Sequence, residues 1–254
     1  MESKSFRYGP DPNQYAELFL PEQRTHAGVV VIIHGGFWRA AYGADLGVPL
    51  AKDLTERGWT CWNLEYRRNG NGGGWPETFE DVAAGIDLLA EVAPEFRLGL
   101  NRVVALGHSA GGHLAAWAAG RRNLPAEAPG AHPKVHLTGA VSQSGLLNLG
   151  AAYDQWLSDG AVVEFLGGTP VEVPGRYELA DPLRQAPVPV PVCAVHAVND
   201  TTVPFSQSEE YVATAHRTGG EAELVRVPGD HMDLIDPKSE AFAECRRELE
   251  RLMS

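Results

Sequence analysis

Three cysteines in 254 residues, Cys61, Cys193 and Cys245, are too few and too scattered for a disulfide framework or a zinc site. Cys61 and Cys193 fall in apolar runs that read as strands, where a thiol is a small buried hydrophobe. No apolar run approaches membrane-spanning length, and Met1-Glu2-Ser3-Lys4-Ser5-Phe6-Arg7 lacks the apolar core of a secretory leader. The expectation is a cytoplasmic, reducing home and no membrane partner. Basic residues are outnumbered, 21 Lys and Arg against 33 Asp and Glu, for a formal net charge of −12. That sign argues against nucleic acid and anionic membrane surfaces as partners. The acids are spread along helical stretches rather than gathered in a tail, as on a solvated surface. Internal repeats and low-complexity linkers are also absent, and no metal site or cofactor is expected.

What is present is a rhythm. A hydrophobic share of 44% is ample for a buried core, and strand-like and helix-like stretches alternate from end to end. This predicts one α/β domain over 1–254 with a mostly parallel sheet covered on both faces. Gln14 to Leu20 reads as an early edge strand stopped by Pro21. Ala27 to Ile33 is a continuous β-branched run, as in a strand buried on both faces. A helix over Asp45–Arg57, a strand over Trp59–Tyr66 and a helix over about Thr78–Val92 follow. Leu137–Ser142 and Val190–Ala197 read as strands, and between them about 146–188 breaks the rhythm with prolines and glycines. That stretch is expected to be a small cap with short helices near Tyr153 and Val162. A helix over about Ser206–Arg217, a strand over Ala222–Val227 and a helix over about Glu240–Leu252 close the chain.

The chemistry centres on Val103-Val104-Ala105-Leu106-Gly107-His108-Ser109-Ala110-Gly111-Gly112-His113. A short apolar run enters a Gly-x-Ser-x-Gly turn, and a good helix former leaves it. This is the pattern of a nucleophile elbow, in which a strained turn lifts a serine hydroxyl above a parallel sheet. Serine is a poor nucleophile at neutral pH and needs a base, which an acid must orient. On such a sheet the expected order is Ser, then Asp or Glu, then His. Asp200 follows the strand after the cap, although an Asx turn closing that loop would also explain it. His231 follows the last strand. His26, His132, His136 and His216 fall in loops or on solvent faces, and His196 lies within a strand. His108 and His113 flank the elbow but cannot easily face Ser109. Asp230 and Asp233 compete with Asp200 but sit on the histidine's own loop. Ser109, Asp200 and His231 are therefore the expected catalytic set.

An oxyanion needs backbone donors. Ala110 should give one, and the loop His34-Gly35-Gly36-Phe37-Trp38 the others, with Gly36 and Phe37 favoured over Gly35; His34 is expected to hold the loop's shape. Taken with the elbow, this loop resembles the α/β-hydrolase superfamily, and within it the kynurenine formamidase (arylformamidase) and small carboxylesterase branch. The resemblance implies a metal-free serine hydrolase acting on a small ester or an activated amide. Trp38, Trp75, Trp156 and Met232 are the pocket candidates, with Phe37, Tyr153 and Phe165 also near the expected mouth. A cap of about 40 residues leaves little room to sheath a long acyl chain, so a short-acyl or aryl ester is expected. Hydrolysis of an aryl formamide such as N-formylkynurenine is the alternative. A non-catalytic binding protein on the same scaffold would normally have lost one of the three residues. The sequence sets no oligomeric state, a homodimer being one option.

Overall fold

Val29, Val31 and Ile33 point to one side of the central strand and Val30 and Ile32 to the other, and all five are buried. A strand that is apolar on both faces must have helices over both. The computed structural model describes residues 3–254. Its eight strands are β1 (Ser3–Arg7), β2 (Tyr15–Phe19), β3 (Val29–Ile33), β4 (Cys61–Leu64), β5 (Val103–His108), β6 (Gly139–Gln143), β7 (Val192–Ala197) and β8 (Ala222–Val227). They form one sheet in the order β1-β2-β4-β3-β5-β6-β7-β8. β1 and β2 run antiparallel at one end; from β4 to β8 every pairing is parallel.

The helices are α1 (Val48–Glu56), α2 (Glu77–Asp87), α3 (Leu89–Phe96), α4 (Ala110–Ala119), α5 (Leu149–Asp154), α6 (Leu157–Leu166), α7 (Pro174–Ala180), α8 (Pro182–Gln185), α9 (Ser206–Arg217) and α10 (Glu240–Met253). α1 and α10 cover the face of Val30 and Ile32. α2, α3, α4 and α9 cover the opposite face; α5, α6 and α7 contribute Leu149, Phe165, Tyr177 and Ala180 to that same core, and half-buried Leu183 of α8 packs against it.

Several expected boundaries shift. The Tyr15–Phe19 strand is not the edge, because β1 pairs outside it in register Ser3 to Phe19 and Arg7 to Tyr15. β1 alternates too weakly to be seen: four of its five residues are exposed. The helix expected over Asp45–Arg57 begins at Val48, after a 3-10 turn over Ala44–Leu46. The helix expected over Thr78–Val92 is two, interrupted at Leu88 and carried on to Phe96. The 146–188 stretch holds four short helices where two were expected.

Candidate active site

β5 passes into α4 through one residue, Ser109, held at φ 56° and ψ −121°. A side chain in that region is strained on the order of 1–3 kcal/mol and persists only where its surroundings over-determine it. Here they do. A Cβ on Gly107 would lie 2.0 Å from the Gly111 carbonyl oxygen, and one on Gly111 would lie 2.0 Å from that of Ile33. The Ser109 amide donates to the Gln143 carbonyl at 2.8 Å, and the Ser109 carbonyl accepts from His113 at 3.1 Å. The elbow is thus pinned from β6 and from its own helix.

Asp200 lies just past β7 and His231 just past β8. The Asp200 Oδ1 accepts the amides of Thr202 and Val203, both at 2.8 Å. Its Oδ2 accepts from His231 Nδ1 at 2.6 Å. One carboxylate therefore closes an Asx turn and orients an imidazole. Burial alone would raise its pKa, but the bond from His231 and the Val203 amide outweigh that and bring it down to about 2. With Nδ1–H facing the acid, His231 Nε2 is left as the acceptor. The competing acids are used locally: Asp230 accepts the Met232 amide at 2.9 Å and Asp233 that of Asp230 at 2.7 Å.

His108, which flanks the elbow without facing Ser109 and carries no sequence signal for a role, touches this assembly directly. Its Nε2–H donates to the His231 carbonyl at 2.9 Å, and the two rings lie 4.4 Å apart. Burial, then the neighbouring His231, pushes the His108 pKa down to about 3, which keeps the ring neutral. His113 is likewise buried and held down at about 4. It accepts from Trp38 Nε1 at 3.2 Å and donates to the Ala180 carbonyl at 2.9 Å. His196, within β7, is fully buried and bonded to Ser208 and the Val203 carbonyl.

In the loop after β3, Gly36, Phe37 and Trp38 take φ values of 111°, 47° and 55° in succession. Phe37 thus occupies backbone space that favours glycine. A Cβ on Gly35 would stand 3.0 Å from the Ser109 Cβ and 2.7 Å from the His108 carbonyl oxygen, so this loop lies directly against the elbow. Among the described residues, no protein acceptor takes the amides of Gly36 or Phe37. Ala110 is the first residue of α4, where backbone N–H groups lack intrahelical partners.

The pocket candidates separate. Trp38 is 0% exposed, stacked on Phe165 at 4.4 Å and bonded to His113, so its ring belongs to the core rather than to a pocket wall. Phe165 is equally buried, and half-buried Trp75 sits edge-on to Phe79 at 5.1 Å. Trp156 and Met232, 56% and 55% exposed, face solvent. Trp156, Ser158, Asp159 and Gly160 all have positive φ. Arg39, at the end of the Gly36–Trp38 loop, holds this turn by bonds to Ser158 Oγ (3.0 Å) and Ser158 O (2.7 Å).

Parallel strands whose carboxyl ends carry a Ser elbow, an acid loop and a His loop, in that order, define an α/β-hydrolase. A family model named BD-FAE matches residues 16–214, and the chain belongs to that family. It is similar to the isoprenylcysteine alpha-carbonyl methylesterase ICME of Arabidopsis thaliana, 28% identical over 249 residues, covering 91% of this chain and 57% of that protein. It is also similar to esterase LipC of Mycobacterium tuberculosis, 26% identical over 249 residues, covering 90% and 59%. The chain thus spans a little over half the length of these curated relatives. Among solved structures, a truncated carbohydrate esterase from gut microbiota superposes with a TM-score of 0.81 at 21% identity, covering 99% of this chain and 96% of that one. The butyrate-bound esterase Est2 of Thermogutta terrifontis gives 0.75 at 20% identity, covering 98% and 91%. These likenesses bear out the hydrolase fold and the esterase side of the resemblance; they lend nothing to its formamidase side. Among the described residues, no helix is long and apolar enough to cross a membrane, and no three His, Cys, Asp or Glu side chains gather where they could hold a metal ion.

Proposed function

We propose that this chain is a serine hydrolase of small carboxylic esters. Ser109 is its nucleophile, His231 its general base and then acid, and Asp200 the group that orients His231. The observation that carries the reading is the 2.6 Å bond from His231 Nδ1 to a buried Asp200 carboxylate, in a chain whose strained elbow serine sits two strands away. In this reading His231 Nε2 takes the Ser109 proton as Oγ attacks the ester carbon. The tetrahedral oxyanion is held by the amides of Gly36, Phe37 and Ala110, with Gly35 shaping the loop's approach. His231 then protonates the departing alcohol, and water activated by the same ring releases the acid and restores Ser109.

The relatives' names, a methylesterase and an esterase, favour an ester over the aryl formamide. The solvent-facing Trp156 and Met232 support a rim for a short-acyl or aryl group, with 146–188 as the cap beside it. Cys61, Cys193 and Cys245 are all free and buried, which supports a reducing, cytoplasmic setting. Turnover of a p-nitrophenyl ester series, with a fluorophosphonate as covalent probe, tests the reading. Acetate and butyrate should be cleaved faster than long chains, and Ser109→Ala should abolish both turnover and labelling while the fold persists. Activity retained in Ser109→Ala removes the mechanism.

A further inference from the structure

Beneath the Gly35–Trp38 loop lies a buried polar cluster that takes no part in the proposed reaction: His34, Glu65, Tyr66 and Arg68. All four are 5% exposed or less. The His34 ring stacks on Tyr66 at 4.3 Å, and the Tyr66 hydroxyl donates to the His34 carbonyl at 2.7 Å. His34 Nδ1 lies 2.8 Å from the Gly35 carbonyl, which can only accept, so Nδ1 carries a proton. Burial, then the Arg68 charge, pushes His34 down to about 3, so the ring holds one proton and Nε2 is bare. Arg68 Nη1 donates to that bare nitrogen at 3.0 Å, and Glu65 Oε1, an acceptor that would draw a proton onto Nε2 if Arg68 were removed, lies 3.2 Å from it. Arg68 also pairs with Glu65 Oε1, which takes the Tyr66 amide, while Oε2 takes that of Ala44 at 2.9 Å.

We infer that Arg68 is a positioning residue for the oxyanion loop: it fixes the His34 tautomer, and through it the direction of the Gly35–Gly36 peptide. The step is geometric. Arg68 has donors and no acceptor, so its bond to Nε2 requires the ring proton on Nδ1, against the pull of the Glu65 carboxylate 3.2 Å from the same nitrogen. That proton holds the Gly35 C=O toward His34. In a trans peptide the C=O and the next N–H point in opposite directions, so the Gly36 N–H is held away from His34, on the side left open for an oxyanion. With the other tautomer, two lone pairs would face each other at Gly35 and the peptide would lose its anchor. Glu65 balances the Arg68 charge and ties the cluster to Ala44 and Tyr66. This inference rests on the ester-hydrolase reading for its consequence, but the tautomer does not depend on it.

The test has two arms. Long-range proton–nitrogen NMR of the histidine rings should show His34 with a protonated Nδ1 and a bare Nε2 in the wild-type protein. That pattern should be lost or mixed in Arg68→Met, and retained in Arg68→Lys, which keeps a donor and a charge. Loss of one oxyanion donor costs on the order of 100-fold in kcat or more. Partial loss of its aim should therefore lower kcat for p-nitrophenyl acetate by about 10- to 100-fold in Arg68→Met, with KM changed less and Arg68→Lys recovering much of the rate. The double variant Glu65→Gln/Arg68→Met removes both charges together and serves if the single change fails to fold. A wild-type His34 protonated on Nε2, or a methionine variant with unchanged tautomer or unchanged kcat, overturns the inference. A wild-type protein with the Nδ1–H pattern but no esterase activity overturns the proposed function and leaves the tautomer assignment standing.

Discussion

Asp200 does two jobs with two oxygens, and a conservative substitution separates them. In Asp200→Asn the amide oxygen can still accept the Thr202 and Val203 amides, but its NH2 then faces His231 Nδ1. The ring must turn its lone pair there and carry its proton on Nε2, where it could not take the Ser109 proton that the proposed mechanism requires. We expect kcat to fall on the order of 10⁴-fold, as for the equivalent change in a serine protease triad, in a variant that still folds but is less stable at neutral pH. The same carboxylate has a signature in acid. Held at about 2 in the folded chain against about 3.9 when free, it contributes about 2 kcal/mol. That stability is present in full above about pH 4 and is lost as pH falls towards 2. Urea unfolding at pH 5 and pH 2.5 should show the wild-type protein losing about 2 kcal/mol more than Asp200→Asn; equal losses contradict the assignment.

At the scale of elements, the sequence was most legible where amphipathic periodicity was uninterrupted. β8 begins and ends where its alternation does, and α9 and α10 match their expected spans to within a residue. α7 and α8 are hard to see in the sequence because Pro174 and Pro182 look like breakers. Each stands at the first helical position, where proline's missing N–H costs nothing. The Ser109, Asp200 and His231 loops were legible because chain order on this sheet dictates them. The support around them was not, since His108, His113, Glu65 and Arg68 act through neighbours 31 to 123 residues away. Trp38 was misplaced for the same reason: only the tertiary approach of Phe165 shows its ring to be core.

One short element also carries a titration. Asp181 caps α8 by accepting the Leu183 amide at 3.1 Å and reaches the Gly150 amide of α5 at 3.4 Å. Burial raises it to about 6. A raised acid works opposite to Asp200: below about pH 4 it is protonated in both states and contributes nothing. As pH rises from 4 to 6 the unfolded chain ionises first, so stability falls by up to about 3 kcal/mol. Asp181→Asn should remove this slope, so that the variant gains on the wild-type protein between pH 4 and 6 whatever its offset from the lost acceptor. Parallel stability curves over that range contradict this.

For the whole molecule, the sheet divides the core into two faces that share every strand from β3 to β7. Trp38, Trp62 and Trp117 report on the face of α2 and α4, together with α5 to α8, whereas Trp59 packs on the opposite face. Cys61, Cys193 and Cys245 all lie on the face of α1 and α10. Burial drives the thiols of Cys61 and Cys245 up to about 12 and raises that of Cys193 as well, so none offers a thiolate to a reagent in the folded state. Because strands alternate sides residue by residue, neither face can open without stripping the other's strands. If 1–254 is one cooperative unit, a thiol reagent should find no reactive cysteine in the native protein. All three should then appear in one urea transition whose midpoint coincides with that of indole fluorescence, both followed in a Trp59→Phe background. Thiols appearing at a lower or higher urea concentration than the indole change would mean that the faces open separately, and the chain would then have to be divided.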